Sequence, residues 1–354
     1  MRRGTVGRVT PDRLAVIAVV GALLAGCTGG SSEGGSEPDR AVTGSSPAAA
    51  SPSTPAPSAS PPGPESSSSP AGSSTTSQPE PTGRAVAFDL AAAMATVRTL
   101  ARGGPREATS TAYRRAADRV RQRFDELGYA TGRQGFRVPA GESWGIPVGP
   151  GRTHNVVAVP TGFDPTRPHL VVGAHLDTVP QSPGAEDNAS GVAVVLELAR
   201  IARPEPGGGS RLPVVWVAFG AEEPRGPGDD EHHFGSQEYV RRLGGDGREA
   251  LRGMVSLDRV GAPGRVPVCT GGLSPVRVRR ELLAAADRAG VPARACDNRT
   301  SDHWPFEKAG ETVARVGGND SPGYHSPRDR PSTVSRRQLD RVGRLLSEWL
   351  LASS

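Results

Sequence analysis

Val214-Val215-Trp216-Val217-Ala218-Phe219 runs directly into Gly220-Ala221-Glu222-Glu223. An unbroken apolar run with three valines leaves no alternating polar side for solvent, so it reads as a strand buried on both faces, the pattern of a largely parallel sheet. The two acids that follow are the anomaly. Adjacent carboxylates straight after a buried strand repel each other and resist desolvation unless they are solvated or neutralised by a cation. They also stand where a parallel sheet puts its chemistry, beyond the C-terminal end of a strand.

Outward from this stretch, strand-like runs recur at 154–160, 170–175, 253–258, 266–270 and 312–316. Helix-like stretches lie between them at 192–202, 237–243 and 275–289, with two more ahead at 86–102 and 110–127 and one at the end, 335–352. In 110–127, Ala117, Val120, Phe124 and Leu127 recur at helical spacing and Gly128 stops the helix. In the last, Leu339, Val342, Leu345, Leu346, Trp349 and Leu350 share a face entered through Ser335-x-x-Gln338, a capping-box pattern. Alternating strands and helices make residues 84–354 a single α/β domain, with a central mostly parallel, mixed sheet flanked by helices.

Residues 28–83 are Ser, Pro, Gly, Ala and Thr with a few acids, Val42 is their only large aliphatic side chain, and they include no aromatic ring. Nothing there offsets a chain entropy of roughly 1–2 kcal/mol per residue, so 27–83 reads as a disordered spacer. Ahead of it stand four arginines, an apolar run over 14–26, and Cys27. As a helix that run would reach about 20 Å, short of a ~30 Å hydrocarbon core, which favours a secretory leader at 1–26 over a permanent span. Leu24-Ala25-Gly26-Cys27 resembles the bacterial lipoprotein box. That resemblance implies acylation of Cys27 after cleavage, hence an extracytoplasmic lipoprotein anchored to the bacterial cell membrane or released to the medium.

The 354 residues carry 42 basic and 37 acidic groups, a net charge of +5. Lys308 is the one lysine, so the pI near 9.6 reflects arginine and not a basic tract, and no nucleic-acid partner is implied. Besides Cys27 the cysteines are Cys269 and Cys296. A disulfide in an oxidising compartment and two separate buried thiols both fit them, and neither has the C-x-x-C spacing of a thiolate zinc site.

The other polar residues at strand ends complete a pattern. His175-Leu176-Asp177 closes one run, and i and i+2 on an extended chain face the same way, so the acid can orient the imidazole. Asp187-Asn188-Ala189-Ser190-Gly191 precedes a helix, where an acid serves as a cap or a metal ligand. Asp258 ends another strand, and Tyr324-His325 follows a Gly-rich turn. Imidazole and carboxylate without thiolate is a ligand set for zinc in catalytic sites.

Together these motifs resemble the exported zinc metallopeptidases typified by bacterial two-zinc aminopeptidases. The likeness runs from about Ala117 to the C-terminus. It rests on Gly173-Ala174-His175-Leu176-Asp177, Asp187-Asn188-Ala189-Ser190-Gly191, Ala221-Glu222-Glu223, Ser256-Leu257-Asp258, Ser301-Asp302-His303 and Tyr324-His325-Ser326-Pro327-Arg328-Asp329, in family order. It implies a zinc-peptidase (phosphorylase/hydrolase-like) architecture and two Zn²⁺ per chain. His175 and Asp258 would hold one ion, Glu223 and His325 the other, with Asp187 bridging. It further implies Glu222 as general base, Asp177 behind His175, Tyr324 as oxyanion donor, and a metal-bound hydroxide cleaving the N-terminal bond of peptides or proteins. A carboxypeptidase or glutaminyl cyclase on the same fold, and a non-catalytic binding lipoprotein, are the alternatives. The sequence departs from the family after Glu223, where residues 224–234, with Asp229-Asp230-Glu231-His232-His233, stand before Gly235-Ser236. The charge run reads as a solvated loop near the site, not a further metal site. His154 and His169 read as surface or cap residues, His303 as support, and Arg299 as a substrate contact.

Overall fold

The computed structural model describes residues 87–203, 209–273 and 275–352. The leader, the spacer and Cys27 lie outside them. No helix among the described residues is long and apolar enough to cross a membrane.

Helices α1 (Leu90–Arg102) and α2 (Thr111–Glu126) lead into strand β1 (Ala130–Val138), the short hairpin β2 (Gly141–Ser143) and β3 (Ile146–Val148), and β4 (Gly151–Val159). Then come β5 (His169–His175), α3 (Gly191–Ile201), β6 (Val214–Phe219), α4 (Phe234–Ala250) and β7 (Leu251–Leu257). The chain ends with β8 (Val266–Thr270), α5 (Arg277–Arg288), β9 (Ala293–Asp297), α6 (His303–Lys308), β10 (Val313–Val316) and α7 (Arg336–Leu351). The eight-stranded sheet has the order β1-β4-β6-β5-β7-β10-β8-β9. Its centre, β6-β5-β7-β10, is parallel throughout, and antiparallel pairings join it to β4 and β1 on one side and β8 on the other.

Side-chain alternation splits the core into two layers. Leu170, Val172 and Ala174 of β5 and Val214, Trp216 and Ala218 of β6 pack with α1, α2, α3, α5 and α7. Val171, Val215, Val217 and Phe219 face the other way, onto Tyr239 of α4 and Phe306 of α6. With both faces covered, β5 and β6 are buried at every position. His169, read as a surface or cap residue, is buried as the first residue of β5, its Nδ1 2.8 Å from the Arg167 carbonyl oxygen.

Ser335 Oγ accepts from Gln338 N and starts α7, while Ser335 N donates to Gly261 O, so the cap is one-sided. Gly244, at φ 69°, breaks α4, whose first piece ends where the helical pattern in the sequence stops. Cys269 and Cys296 face each other across β8 and β9 and are disulfide-bonded.

Candidate active site

The site is built where β5, β6 and β7 end. His175 closes β5 and is almost wholly buried, and Glu222-Glu223 follow β6 through Ala221, held at φ 55°. Asp258 follows β7. Asp187 lies between β5 and α3 in the segment Ala185–Ser190, and its peptide bond to Asn188 is cis.

Five side chains converge. Asp187 Oδ1 lies 3.1 Å from His175 Nε2 and its Oδ2 3.0 Å from His325 Nε2, so each oxygen faces a different imidazole. Glu223 Oε2 is 3.2 Å from the same His325 nitrogen, and Asp258 Oδ1 is 3.9 Å from His175 Nε2. The donor atoms of His175, Asp187 and Asp258 all lie within 4.8 Å of one another, as do those of Asp187, Glu223 and His325. His175, Glu222 and Glu223 form a third combination of the same span. Glu222 Oε2 stands 3.9 Å from His175 Nε2.

Backbone ties fix this arrangement. The Asp329 carboxylate accepts from Glu186 N at 2.7 Å and Asp187 N at 3.0 Å. Asn188 Nδ2 donates to Leu257 O, and its Oδ1 accepts from Gly191 N and Arg259 N, so one amide joins the Asp187 segment to the end of β7. A Cβ on Gly317, at φ 141°, would sit 1.7 Å from Asp258 O, so only glycine lets that turn pass the Asp258 backbone. Arg315 Nε donates to Asp258 Oδ2 at 3.2 Å, and Arg259 Nε is 3.4 Å from Oδ1.

Asp177 differs from expectation. Its carboxylate accepts from Glu222 N and Glu223 N, at 3.1 Å each, while the His175 Nδ1 lies 3.2 Å from its main-chain oxygen and 3.8 Å from Oδ1. The acid thus positions the two glutamates, and the chain itself orients the imidazole. Tyr324 stacks on His325 with ring centroids 3.6 Å apart, and the Arg259 guanidinium lies over the Tyr324 ring, 4.4 Å from its centre.

The 224–234 loop is solvated in its middle and lies near the site, as expected, but its ends are not solvated. Asp229, Asp230 and Glu231 are exposed, but Arg225 and His233 near its ends are buried. The loop closes on itself through His233 N to Glu222 O and Phe234 N to Ala221 O, which carries His233 Nε2 to 3.3 Å from Glu222 Oε1. Arg299 donates to Gly271 O and lies over the Trp304 ring, and His303 Nε2 is 2.8 Å from Asn298 O. His154, half-buried in β4, stands edge-on to Tyr113.

Electrostatics follow from burial and proximity. Burial pushes the Glu222 carboxyl up to about 7 against the pull of His175, with Asp258 and Asp187 adding to the rise. Glu223 rises to about 8, again chiefly from burial. Burial opposes charge on His325 as well, yet Glu223 and Asp187 hold it up at about 10. In Asp258, burial is outweighed by Arg315 and Arg259, which keep it well below the usual carboxylate range. His233 is pushed down to about 4 by burial and is neutral at pH 7.

This donor set fits a divalent cation. Three buried carboxylates beside two imidazoles are costly unless compensated. Glu223 Oε1 and Asp258 Oδ1 are buried without a hydrogen-bond partner. Mixed imidazole and carboxylate ligation is that of zinc in hydrolytic sites.

The profile of peptidase family M28 matches residues 155–350, more than half the chain. The chain belongs to peptidase family M28. The aminopeptidase YwaD of Bacillus subtilis is 32% identical to this M28 chain over 209 residues, 55% of this chain and 43% of that protein. The chain thus spans less than half the length of the curated relatives it matches. Among solved structures, the zinc aminopeptidase BSAP from Bacillus subtilis superposes with a TM-score of 0.65 at 20% identity, over 75% of this chain and 95% of that one. A glutaminyl cyclase of Bacteroides thetaiotaomicron superposes with a TM-score of 0.64 at 19% identity, over 77% and 100%. These likenesses show the fold. Asp329, Arg315, Asn188 and His233 of the M28 chain received no role from sequence; the family motif contains Asp329 and Asn188, whereas nothing local marks Arg315 or His233.

Proposed function

We propose that this chain is a zinc aminopeptidase of the two-metal type. The observation that supports it most is the pair of three-residue groups meeting at Asp187, whose two oxygens face His175 and His325 separately. His175 and Asp258 would hold one ion, Glu223 and His325 the other, and Asp187 would join them. Zinc bound there would supply a Lewis acid for the scissile carbonyl and an acidified water.

The chain's own groups do the rest. Glu222, held by Asp177 through its backbone and lifted toward neutrality, takes the proton of the attacking water and returns it to the departing amine. Tyr324, stacked on His325 at the rim, would donate to the oxygen that gains charge. The acidic cluster offers a counter-charge to a free α-amine, which restricts cleavage to the first residue.

The test is turnover by purified, zinc-loaded protein of an aminoacyl anilide, an N-blocked peptide and a peptide with N-terminal Gln, beside zinc stoichiometry. Anilide cleavage with two zinc ions supports the reading. Cyclisation of Gln without anilide cleavage would install the cyclase reading, which the solved cyclase of similar fold keeps in view.

For location we propose a leader at 1–26, acylation of Cys27, a spacer at 27–83 and the peptidase domain at 84–354, on the resemblance of Leu24-Ala25-Gly26-Cys27 to a lipoprotein box. Cys27→Ala should release or stall the protein. Parent and variant fractionating alike, with no labelled fatty acid in the parent, would end the idea.

A further inference from the structure

Three large apolar side chains are exposed among the described residues: Trp144, Leu273 and Tyr324. Two of the three meet at the candidate metal centre. Trp144, 54% exposed, lies with its ring 4.4 Å from that of His325 and 5.6 Å from that of Tyr324, edge-on to both.

The backbone around it is built to hold this position. Trp144 and Gly145 form the turn between β2 and β3, and Trp144 sits at φ 49°, a left-handed conformation that costs a bulky residue and would suit glycine. The buried guanidinium of Arg225 donates to Pro139 O at 2.7 Å and Gly149 O at 2.8 Å, the carbonyls just outside the two ends of the hairpin, and also pairs with Glu107. Glu142 N donates to Arg225 O, and a Cβ on Gly141 would lie 1.8 Å from that oxygen. The hairpin is thus seated on the first turn of the loop that follows Glu223. Its base is clamped and its tip bears an indole in strained backbone, open to solvent, beside a ligand histidine.

We propose that Trp144 is a specificity-determining residue: its indole is the aromatic wall of a substrate subsite and selects large apolar side chains next to the scissile bond. This rests on the aminopeptidase reading. A flat apolar face beside the reacting centre discriminates side chains by the area they cover, on the order of tenfold per methylene or more.

Two readouts test it. Wild type, Trp144→Phe and Trp144→Gly are assayed on anilides of Ala, Leu and Phe and on dipeptides carrying the same series in second position. Trp144→Gly should lose roughly tenfold or more in kcat/KM for Leu and Phe at one of these positions, mainly through KM, with Ala changed least. Trp144→Phe should keep most of the preference. The melting temperature of Trp144→Gly should stay level or rise, because glycine relieves the turn, whereas a purely structural tryptophan predicts a fall. The second readout needs no turnover: the other three tryptophans are buried, so L-leucinamide and L-phenylalaninamide should change the intrinsic fluorescence of wild type and not of Trp144→Phe. If fluorescence responds but no substrate is cleaved, the aminopeptidase reading falls and the wall stands. If all side chains lose equally or none does, or both proteins respond alike, the wall is wrong.

Discussion

The middle of the sheet and its outer strand pair at β8 and β9 are made from the same kind of hydrogen bonds and do different work. The β5, β6 and β7 ends carry His175, Glu222, Glu223 and Asp258. The β8–β9 pair carries a disulfide, and only its inner strand is buried throughout, β9 being half-exposed or exposed along its length. A strand covered on both faces cannot shift without disturbing two layers of side chains, so its end holds a donor atom in place. The edge strand β9 has one neighbour and is tied to it by the disulfide as well as by its ladder. Chemistry should therefore be lost without stability at the centre, and stability without chemistry at the edge.

The largest effect belongs to the centre. Glu222→Gln should keep its zinc and lose about 10²–10⁴ in kcat, because the amide keeps the shape of the carboxylate and takes no proton. Glu223→Gln should lose zinc instead, a neutral amide being a poorer ligand. Both should melt near the parent when zinc-free, since each replaces a buried carboxylate by an isostere. Zinc content, turnover and apo melting temperature on each variant decide this. A metal-depleted Glu222→Gln beside a zinc-replete, inactive Glu223→Gln would reverse the two roles, and normal turnover in both would remove the site from the end of β6.

At the edge, the Cys269→Ser, Cys296→Ser double variant should be less stable by about 3–4 kcal/mol, the chain-entropy value for residues 27 apart. Its zinc content and its turnover below the melting transition should match the parent. A comparable loss of kcat would mean that the edge reaches the site and that the division between centre and edge is false.

The same division explains what the sequence discloses. The runs ending at Ala174 and Phe219 are apolar without interruption, and the one ending at Leu257 is broken from Gly253 on only by Ser256, so their strands and the polar residues beyond them stand out. β1 (Ala-Thr-Gly-Arg-Gln-Gly-Phe-Arg-Val) and β9 (Ala-Arg-Ala-Cys-Asp) have no such pattern; their long pairings with β4 and β8 hold them, and the sequence pattern marks neither as a strand. α6 is too short for a helical period. The five residues now at the cluster were legible through family motifs at strand ends and in the loops beyond them. Asp329 holding Asp187 N from 142 residues away, or Arg315 on Asp258 from 57, is a tertiary fact that no local spacing encodes. The loop at 224–234 misleads for a further reason: its composition is set by the exposed middle, while its function lies in two buried ends.

His233 is the sharpest test of that loop and carries the smallest effect. Its imidazole is neutral, 3.3 Å from Glu222 Oε1, and reaches the base from outside the strand-end set. A neutral donor at that distance can steady one carboxylate oxygen and leave the other toward the substrate, a contribution near the low end for hydrogen bonds to charged groups, about 1.5 kcal/mol. His233→Ala should then lower kcat roughly tenfold, with KM and zinc content unchanged. His233→Gln, whose amide nitrogen can reach where Nε2 stands, should recover most of the loss. Equal defects in Ala and Gln variants, or a fall in zinc content, would make His233 a strut of the loop; an unchanged kcat in both would return all of the chemistry to the strand ends.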